Sequence, residues 1–427
     1  MSRIHKGFGT LGLMALGSWL PGCSEADVSA GSEGDAVNLN RCYGADCGVR
    51  AQSLSGSAAA ATPCGDVEGE LTEQLIFEAI GEGGQALAAE EAADGTVWAI
   101  ESVRGRDEGY EKFYLARFAA DGALLASKLI ASELDHTLLS TALVVDASGT
   151  ATVGVYSSYA PNADSDLIEE LTLYGFDTEL QPVGTPRTFR GMGTPQLAAS
   201  RGSVWLAGNA FGNAAHGAIS RVTNLAPDWI QTAVPTAGAG VGGVSGLTVA
   251  DDGFAAVVAR LNPKWSGSGP NVVKLGLAAF DATGKPLWTL ALPASFTQGY
   301  QGGLGGTAKG NLVVAGMMGE AGEELRVQAV SREGELGWAY TLETAWSADI
   351  EVRRDSGRTF AGTRAGLAVI DGAGETCRQF SIPSAAATGP MAMPEAPAMP
   401  AESAPWDPDA EYVLAVGGLL QRFRVPE

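Results

Sequence analysis

The chain has 427 residues, 49 acids against 27 Lys and Arg, and a formal charge of −22. So acidic a balance excludes nucleic acid and anionic lipid headgroups as partners, because phosphate binding needs a basic stripe. Glycine makes up 58 residues, about twice the usual share, which points to a chain full of tight turns.

The N-terminus opens with a short basic stretch carrying Arg3 and Lys6, followed by an apolar run from Gly7 to Leu20. At about 14 residues this run is too short to span a bilayer, which takes roughly 20, but it suits the core of a signal peptide. Leu20-Pro21-Gly22-Cys23 resembles the bacterial lipobox, with an aliphatic residue at −3, a small one at −1 and then the cysteine. Pro21 stands where Ala or Ser is usual. The resemblance implies cleavage after Gly22, acylation of Cys23, and a membrane partner reached through that lipid alone. Ser24 at the next position implies sorting to the outer membrane of a Gram-negative cell, on its periplasmic or surface face. Loss of residues 1–22 removes Arg3 and Lys6 and no acid, which takes the charge to −24.

Residues 23–63 are rich in Gly, Ser, Ala and acids and show almost no apolar periodicity. They read as a lipidated flexible tether with a reach on the order of 35 Å. Besides Cys23 the chain has Cys42, Cys47, Cys64 and Cys377, an even number suited to an oxidising compartment. Four cysteines allow three connectivities. The spacing of Cys42 and Cys47 suits a local loop, which leaves Cys64 and Cys377 to close a very long one.

From about residue 70 the sequence repeats. One unit is a short apolar strand, an Asp/Gly turn and a second strand: AAEEAADGTVWAIE (88–101), TALVVDASGTATVGVY (141–156), QLAASRGSVWLAG (196–208), GLTVADDGFAAVVA (246–259), GGTAKGNLVVAG (305–316) and EVRRDSGRTFAG (351–362). A second unit alternates with it, as in YLARFAADGALLASKL (114–129) and LAAFDATGKPLWTL (277–290). The turn of the first unit advances from about 95 to 148, 202, 252, 309 and 356, a period close to 50. Four short strands per period, joined by turns whose Asp and Gly supply an Asx bond or a positive φ, predict an all-β propeller. Gln85–Ala93 has helix-forming residues, and its end is read as an entering strand.

Six unit pairs run from about 86 to 382. The Pro-rich insertion at 383–408 cannot join a sheet, and Tyr412–Gly417 and Leu419–Val425 are strands again. Leu71–Ile80 occupies the place of a final strand without its blade. The propeller domain is therefore 64–427, with seven blades if Leu71–Ile80 completes a blade begun at the C-terminus, or six with a loose end. The repeats resemble the secreted bacterial β-propeller repeat proteins, and Phe280–Trp288 looks like one quinoprotein-type repeat. That resemblance implies the fold and no single activity.

The linear motifs are weak. Gly238-Ala-Gly240-Val-Gly-Gly243 matches a dinucleotide fingerprint, but a strand follows it where a helix is needed; such glycines are read as interblade turns. Asn162–Asp166, with Glu169 and Glu170 behind, lacks the Gly and final Glu of a calcium loop. His136 and His216 have no ligand spacing. Trp98, Trp205, Trp229, Trp288 and Trp338 fall at repeat positions and read as packing residues. The expectation is no catalytic residue, no metal and no cofactor. A binding or scaffold module for an envelope protein or glycan is the leading class; an enzyme acting on a polysaccharide or other small polar substrate near the central channel, and a purely structural component, are the others.

Overall fold

The computed structural model describes residues 37–38, 52–54 and 60–426, except 78–79, 81–83, 93, 105–110, 133–136, 160–167, 191, 201, 211–215, 229–230, 233–239, 263–271, 298–302, 319–323, 344–348, 363–365, 383–410 and 417–418. The first five strands are β1 (Val37–Asn38), β2 (Gln52–Leu54), β3 (Thr62–Pro63), β4 (Val67–Glu70) and β5 (Thr72–Ile76). The first blade follows as β6 (Gln85–Glu91), β7 (Val97–Arg104), β8 (Glu111–Phe118) and β9 (Leu124–Ser132), paired in that order. The second is β10 (Thr137–Val145), β11 (Ala151–Tyr159), β12 (Ile168–Phe176) and β13 (Arg187–Arg190). The third is β14 (Met192–Ser200), β15 (Ser203–Ala210) and β16 (His216–Thr223), with two short outer pieces, β17 (Ala226–Pro227) and β18 (Gln231–Thr232), both on β16.

The fourth blade is β19 (Gly240–Val249), β20 (Ala255–Asn262), β21 (Val272–Phe280) and β22 (Pro286–Thr297). The fifth is β23 (Gly303–Gly306), β24 (Leu312–Met318), β25 (Glu324–Val330) and β26 (Leu336–Glu343). The sixth is β27 (Asp349–Val352), β28 (Thr359–Gly362), β29 (Gly366–Ile370) and β30 (Cys377–Ser381). Last comes a terminal sheet of β31 (Glu411–Val416), β32 (Leu419–Arg424) and, antiparallel to β32, the N-terminal β5. This is an all-β propeller of antiparallel sheets.

Each sheet exists because its hairpins close locally. At Asp146 the carboxylate accepts hydrogen bonds from the Ser148 amide (2.8 Å) and the Thr150 amide (3.0 Å), while Gly149 takes a φ of 82° that other residues rarely adopt. The second unit uses the same device at Asp281, with the amides of Thr283 and Lys285. Burial alone would raise the Asp281 carboxyl, but these bonds and the Thr283 hydroxyl outweigh it and hold it below the usual carboxylate range. Where the turn Asp177–Gln181 lacks glycine, Leu180 takes the left-handed conformation at φ 59°.

Neighbouring sheets meet through apolar clusters, each built from the facing sides of two sheets. Trp98, Ile100 and Leu115 of the first blade pack on Leu143, Val153 and Phe176 of the second. Trp205 and Ile219 meet Val249, Val257 and Phe280. The terminal sheet packs on both its neighbours: Phe423 joins Phe360 and Phe380, and Phe77 and Leu420 join Val97, Ala99 and Phe118. Trp98, Trp205 and Trp288 are buried packing residues, Trp338 is partly buried, and Trp229 lies outside the described residues.

Three expectations change. The segment read as a tether is not all unpaired: β1, β2 and β3 run parallel to the outermost strands β13, β22 and β26, and β4 continues the series on β30. Backbone ladders need no apolar periodicity, and an outer strand offers a free row of donors and acceptors, so composition gave no warning. Helix-forming residues 85–91 are strand throughout. The glycines at 240–243 and 303–306 are not turns but part of the entering strands β19 and β23. At 303–306 the reason is steric: a Cβ on Gly305 would come within 2.5 Å of Val352 on β27, and one on Gly246, further along β19, would be as tight, 2.8 Å from Leu304.

Cys64 and Cys377 form a disulfide across a sequence separation of 313, with Cα atoms 5.3 Å apart. It ties the start of β30 to the N-terminal segment just ahead of β4 and β5. Cys42 and Cys47 lie outside the described residues.

Two outcomes follow from this packing. Gly305→Ala should cost about 1–3 kcal/mol by overpacking, and adding Val352→Ala should recover part of it, so that denaturant titration of the double variant shows less than the summed loss; strict additivity would contradict the close approach. Cys377→Ser should lower stability by up to about 5 kcal/mol on the chain-entropy argument for so long a loop. Proteolysis should then attack residues 64–76 before any inner strand.

Candidate functional site

The entering strands of the blades converge, and charges stand at or just beyond the C-terminal ends of β6, β19 and β27. Glu90 and Glu91 end β6, Glu351 stands in β27, and Arg353 and Arg354 follow it directly. Glu91 accepts from Arg422 on β32 (3.0 Å) and pairs with Arg353 (3.5 Å), so one carboxylate joins the first blade, the sixth blade and the terminal sheet. Arg353 also pairs with Glu351 and lies over the Phe360 ring at 5.1 Å. Arg354 reaches past the fifth blade to Asp251 (2.5 Å) and the Val249 carbonyl (2.8 Å) of the fourth. Its own carbonyl accepts from the Ala308 amide (2.8 Å), and the Ala308 carbonyl accepts from the Asp251 amide (3.0 Å). Arg422, only 6% exposed, donates further to the carbonyls of Ala120 (2.9 Å) and Gly95 (3.3 Å) and lies over Phe77 at 5.7 Å.

Glu90 differs from its neighbours. Burial, reinforced by the carboxylates of Glu351 and Glu91 and only partly opposed by Arg354, pushes its carboxyl up to about 8. Its protonated form is therefore favoured at neutral pH. Such a group can donate a hydrogen bond or a proton where an ordinary glutamate cannot.

On this same face the hairpin turns are used to join blades. Arg117 donates to the Thr178 carbonyl, Lys128 to Leu180, Arg221 to Ala282, the Trp288 indole to Arg332 and the Tyr340 hydroxyl to Gly374. Each donor belongs to one blade and each acceptor to a turn of the next. The connections at 105–110, 160–167, 211–215, 263–271 and 319–323 lie outside the described residues.

Of the residues singled out from sequence, Leu20, Pro21, Gly22, Cys23, His136 and Asn162–Asp166 lie outside the described residues. Glu170 is bound by the Tyr159 hydroxyl (2.8 Å) and stands 3.8 Å from Arg190, and Glu169 interacts with Tyr156, whose hydroxyl is pushed up chiefly by burial. Gly240–Gly243 are in a strand, which no dinucleotide fingerprint permits. His216 opens β16. Among the described residues no three His, Cys, Asp or Glu are grouped as metal ligands. The axial charges were missed, although EE (90–91) stands just ahead of the first of these turns and RR (353–354) just ahead of the last.

No family model matches this chain, and no curated protein matches it. Solved structures do resemble it. One is an α-L-arabinanase from Penicillium chrysogenum complexed with arabinobiose, at 13% identity over 71% of this chain and 98% of that one, TM-score 0.45. Another is an α-L-arabinofuranosidase from Fusarium graminearum with an iminosugar inhibitor, at 13% identity over 71% and 93%, TM-score 0.44. A protein of unknown function from Dyadobacter fermentans gives 11% identity over 73% and 96%, TM-score 0.43. At these values they transfer no residue and no activity.

The raised Glu90 carboxyl predicts an inverted pH dependence. Between its unfolded value near 4.3 and about 8 the folded state holds a proton that the unfolded state has lost, so stability falls as pH rises. Glu90→Gln removes that penalty. Its advantage over wild type in melting temperature should be absent near pH 4, grow from pH 5 to 8 and then level off; a constant difference at all pH values would refute the assignment.

Proposed function

We propose that this protein is a lipid-anchored envelope lipoprotein whose propeller is a binding or scaffold module for a protein or glycan partner. In this reading residues 1–22 are the signal peptide, Cys23 carries the acyl chains, and the outer membrane of a Gram-negative bacterium is the location. The terminal sheet is the seventh blade, closed by β5. The observation that supports a non-catalytic module is the use made of the converging groups. Glu91, Asp251, Glu351, Arg353, Arg354 and Arg422 pair with one another between blades, and the turns of that face accept bonds from neighbouring blades. Groups so engaged hold the blades together and leave binding to the rest of the surface.

Glu90 favours a second reading. A carboxyl held in its protonated form near a second acid, Glu351, is the kind of pair that acid–base hydrolysis of a glycoside draws on. The protein would then be a propeller enzyme acting on a polysaccharide or other small polar substrate.

Membrane fractionation tests the anchor. The mature chain should begin at Cys23 and partition into detergent, and Cys23→Ser should release it or leave it unprocessed; unchanged mass and unchanged membrane association would defeat this reading. Crosslinking and pull-down from native membranes should retain a partner equally with wild type and Glu90→Gln if the module only binds. Hydrolysis of envelope polysaccharide by wild type, lost in both Glu90→Gln and Glu351→Gln, would establish the enzyme instead.

A further inference from the structure

Four of the entering strands break step with their partners at one height. Pairing shifts between Ala86 and Ala88 in β6, between Leu138 and Ser140 in β10, between Gly193 and Gln196 in β14, and twice between Gly242 and Gly246 in β19. The extra residues are Leu87, Leu139, one of Thr194 and Pro195, and both Gly243 and Ser245. Leu87 stands five residues ahead of Ala92, Leu139 seven ahead of Asp146, and Gly243 and Ser245 seven and five ahead of Ala250, where the hairpin turns open. The entering strands β23 and β27, and β31 of the terminal sheet, pair without a shift, so building a blade does not require a bulge. A β-bulge gives up ladder pairing and re-aims a side chain, and bulges gather beside functional sites.

The neighbours of each bulge show where the extra side chain goes. Ala86 packs toward the terminal sheet and Ala88 toward the second blade, while Leu87 joins neither cluster and is 45% exposed. Leu138 packs toward the first blade, and Ser140 stands opposite Tyr156, which packs toward the third. Leu139 between them is 46% exposed. Strands β7 and β11 close the outer edges of β6 and β10, so the open side of both leucines is the inner edge, toward the axis. In β19 Val244 packs toward the third blade, and a Cβ on Gly246 would meet Leu304 of the fifth. Ser245, held between them, is buried, and its hydroxyl has no hydrogen-bond partner. A buried hydroxyl left unpaired is costly, and rotation about Cα–Cβ lets this one meet a partner on the axis.

We propose that these bulges shape a site on the axis for a neutral saccharide, with its apolar C–H face on Leu87 and Leu139 and one of its hydroxyls on Ser245. The proposal rests on the reading of the propeller as a module that binds a glycan, and it locates the glycan on the module. Exposed leucines disfavour an occupant that is polar all round, and the unpaired Ser245 hydroxyl needs one that donates or accepts. Charge has no role: Arg353 and Arg354, at the charged end of the axis, are held by Glu91, Glu351 and Asp251, and no bulge residue is ionisable. A pyranose ring combines an apolar face, a rim of hydroxyls and no charge. Three residues of extended strand, roughly 10 Å, separate Leu87 from Glu90, which sets the site apart from the charge cluster.

Isothermal titration of the full chain with cellotetraose, mannotetraose and chitotetraose tests this, and wild type should bind at least one of them. Leu87→Ser and Leu139→Ser, both at exposed positions, should each weaken that binding about tenfold or more and leave the melting temperature unchanged. Ser245→Ala should weaken it about three- to tenfold and raise the melting temperature of the free protein, because the unpaired hydroxyl is gone. Deleting Leu139 brings Leu138 and Ser140 into strict alternation, so that protein should melt no lower than wild type and bind no saccharide. A deletion that melts well below wild type would overturn the inference, since the bulge would then serve the fold. Binding that survives the leucine and serine variants would overturn it too, and would leave the glycan-module reading standing. Failure of wild type to bind any of the three would overturn it as well, and a protein captured in the pull-down would then still uphold the module. Hydrolysis of the bound saccharide would defeat the non-catalytic reading and leave the site in place.

Discussion

Antiparallel pairing of Thr72–Ile76 with Leu419–Arg424 puts the two ends of the chain in one sheet, and the other features of the molecule reinforce that junction. A propeller blade buries its faces only against neighbours, so its weakest place is where the chain begins and ends. Here Phe77 and Leu420 fill the space against the first blade, and Phe423 fills it against the sixth. The amide of Ile80 donates to the buried carboxylate of Glu101 at 2.9 Å, and burial raises that carboxyl. The disulfide holds the same stretch of chain to the outer edge of the sixth blade. Apolar packing, hydrogen bonding and a covalent bond thus converge on about fifteen residues.

The axial charges act on the same junction from inside. Arg422 leaves the terminal sheet to bind Glu91 of the first blade, and Glu91 also meets Arg353 of the sixth. Desolvating such groups is costly, and the arrangement holds because each carboxylate keeps a guanidinium and each guanidinium also has carbonyls or an aromatic face. Glu90 is the acid left over: burial and the neighbouring carboxylates of Glu351 and Glu91, only partly opposed by Arg354, favour its protonated form. The site is therefore both a structural knot and the place where unusual acid chemistry is available.

Two ways of satisfying strands coexist. Near the axis β23 lies so close to β19 and β27 that glycine at 303, 305 and 306 makes room for the side chains of Ile350, Val352 and Thr248. At the rim they splay apart and leave open edges, and the N-terminal segment covers several of these with backbone alone. Blade geometry imposes this gradient, because flat sheets radiating from a line must crowd at the centre and separate outside.

The repeat period, the all-β class and the strand-turn-strand units were legible in the sequence, because an Asx turn with a left-handed glycine is a local structure whose residues lie within five positions of one another. The pairing of Cys64 with Cys377 was legible as well, since elimination and repeat phase together left those two to meet. The pairing of residues 37–38, 52–54 and 62–63 was not, because an added edge strand is recognised by backbone hydrogen bonds that any sequence can make. Nor was the charge knot. Glu91, Asp251, Arg353, Arg354 and Arg422 are scattered over more than 300 residues, and only the convergence of strand ends brings the partners of each ion pair within 4 Å. Local chemistry determined what each blade is, and the tertiary structure decided which blades touch which charges, because distances between repeats exist only once the strands have been arranged around a common axis.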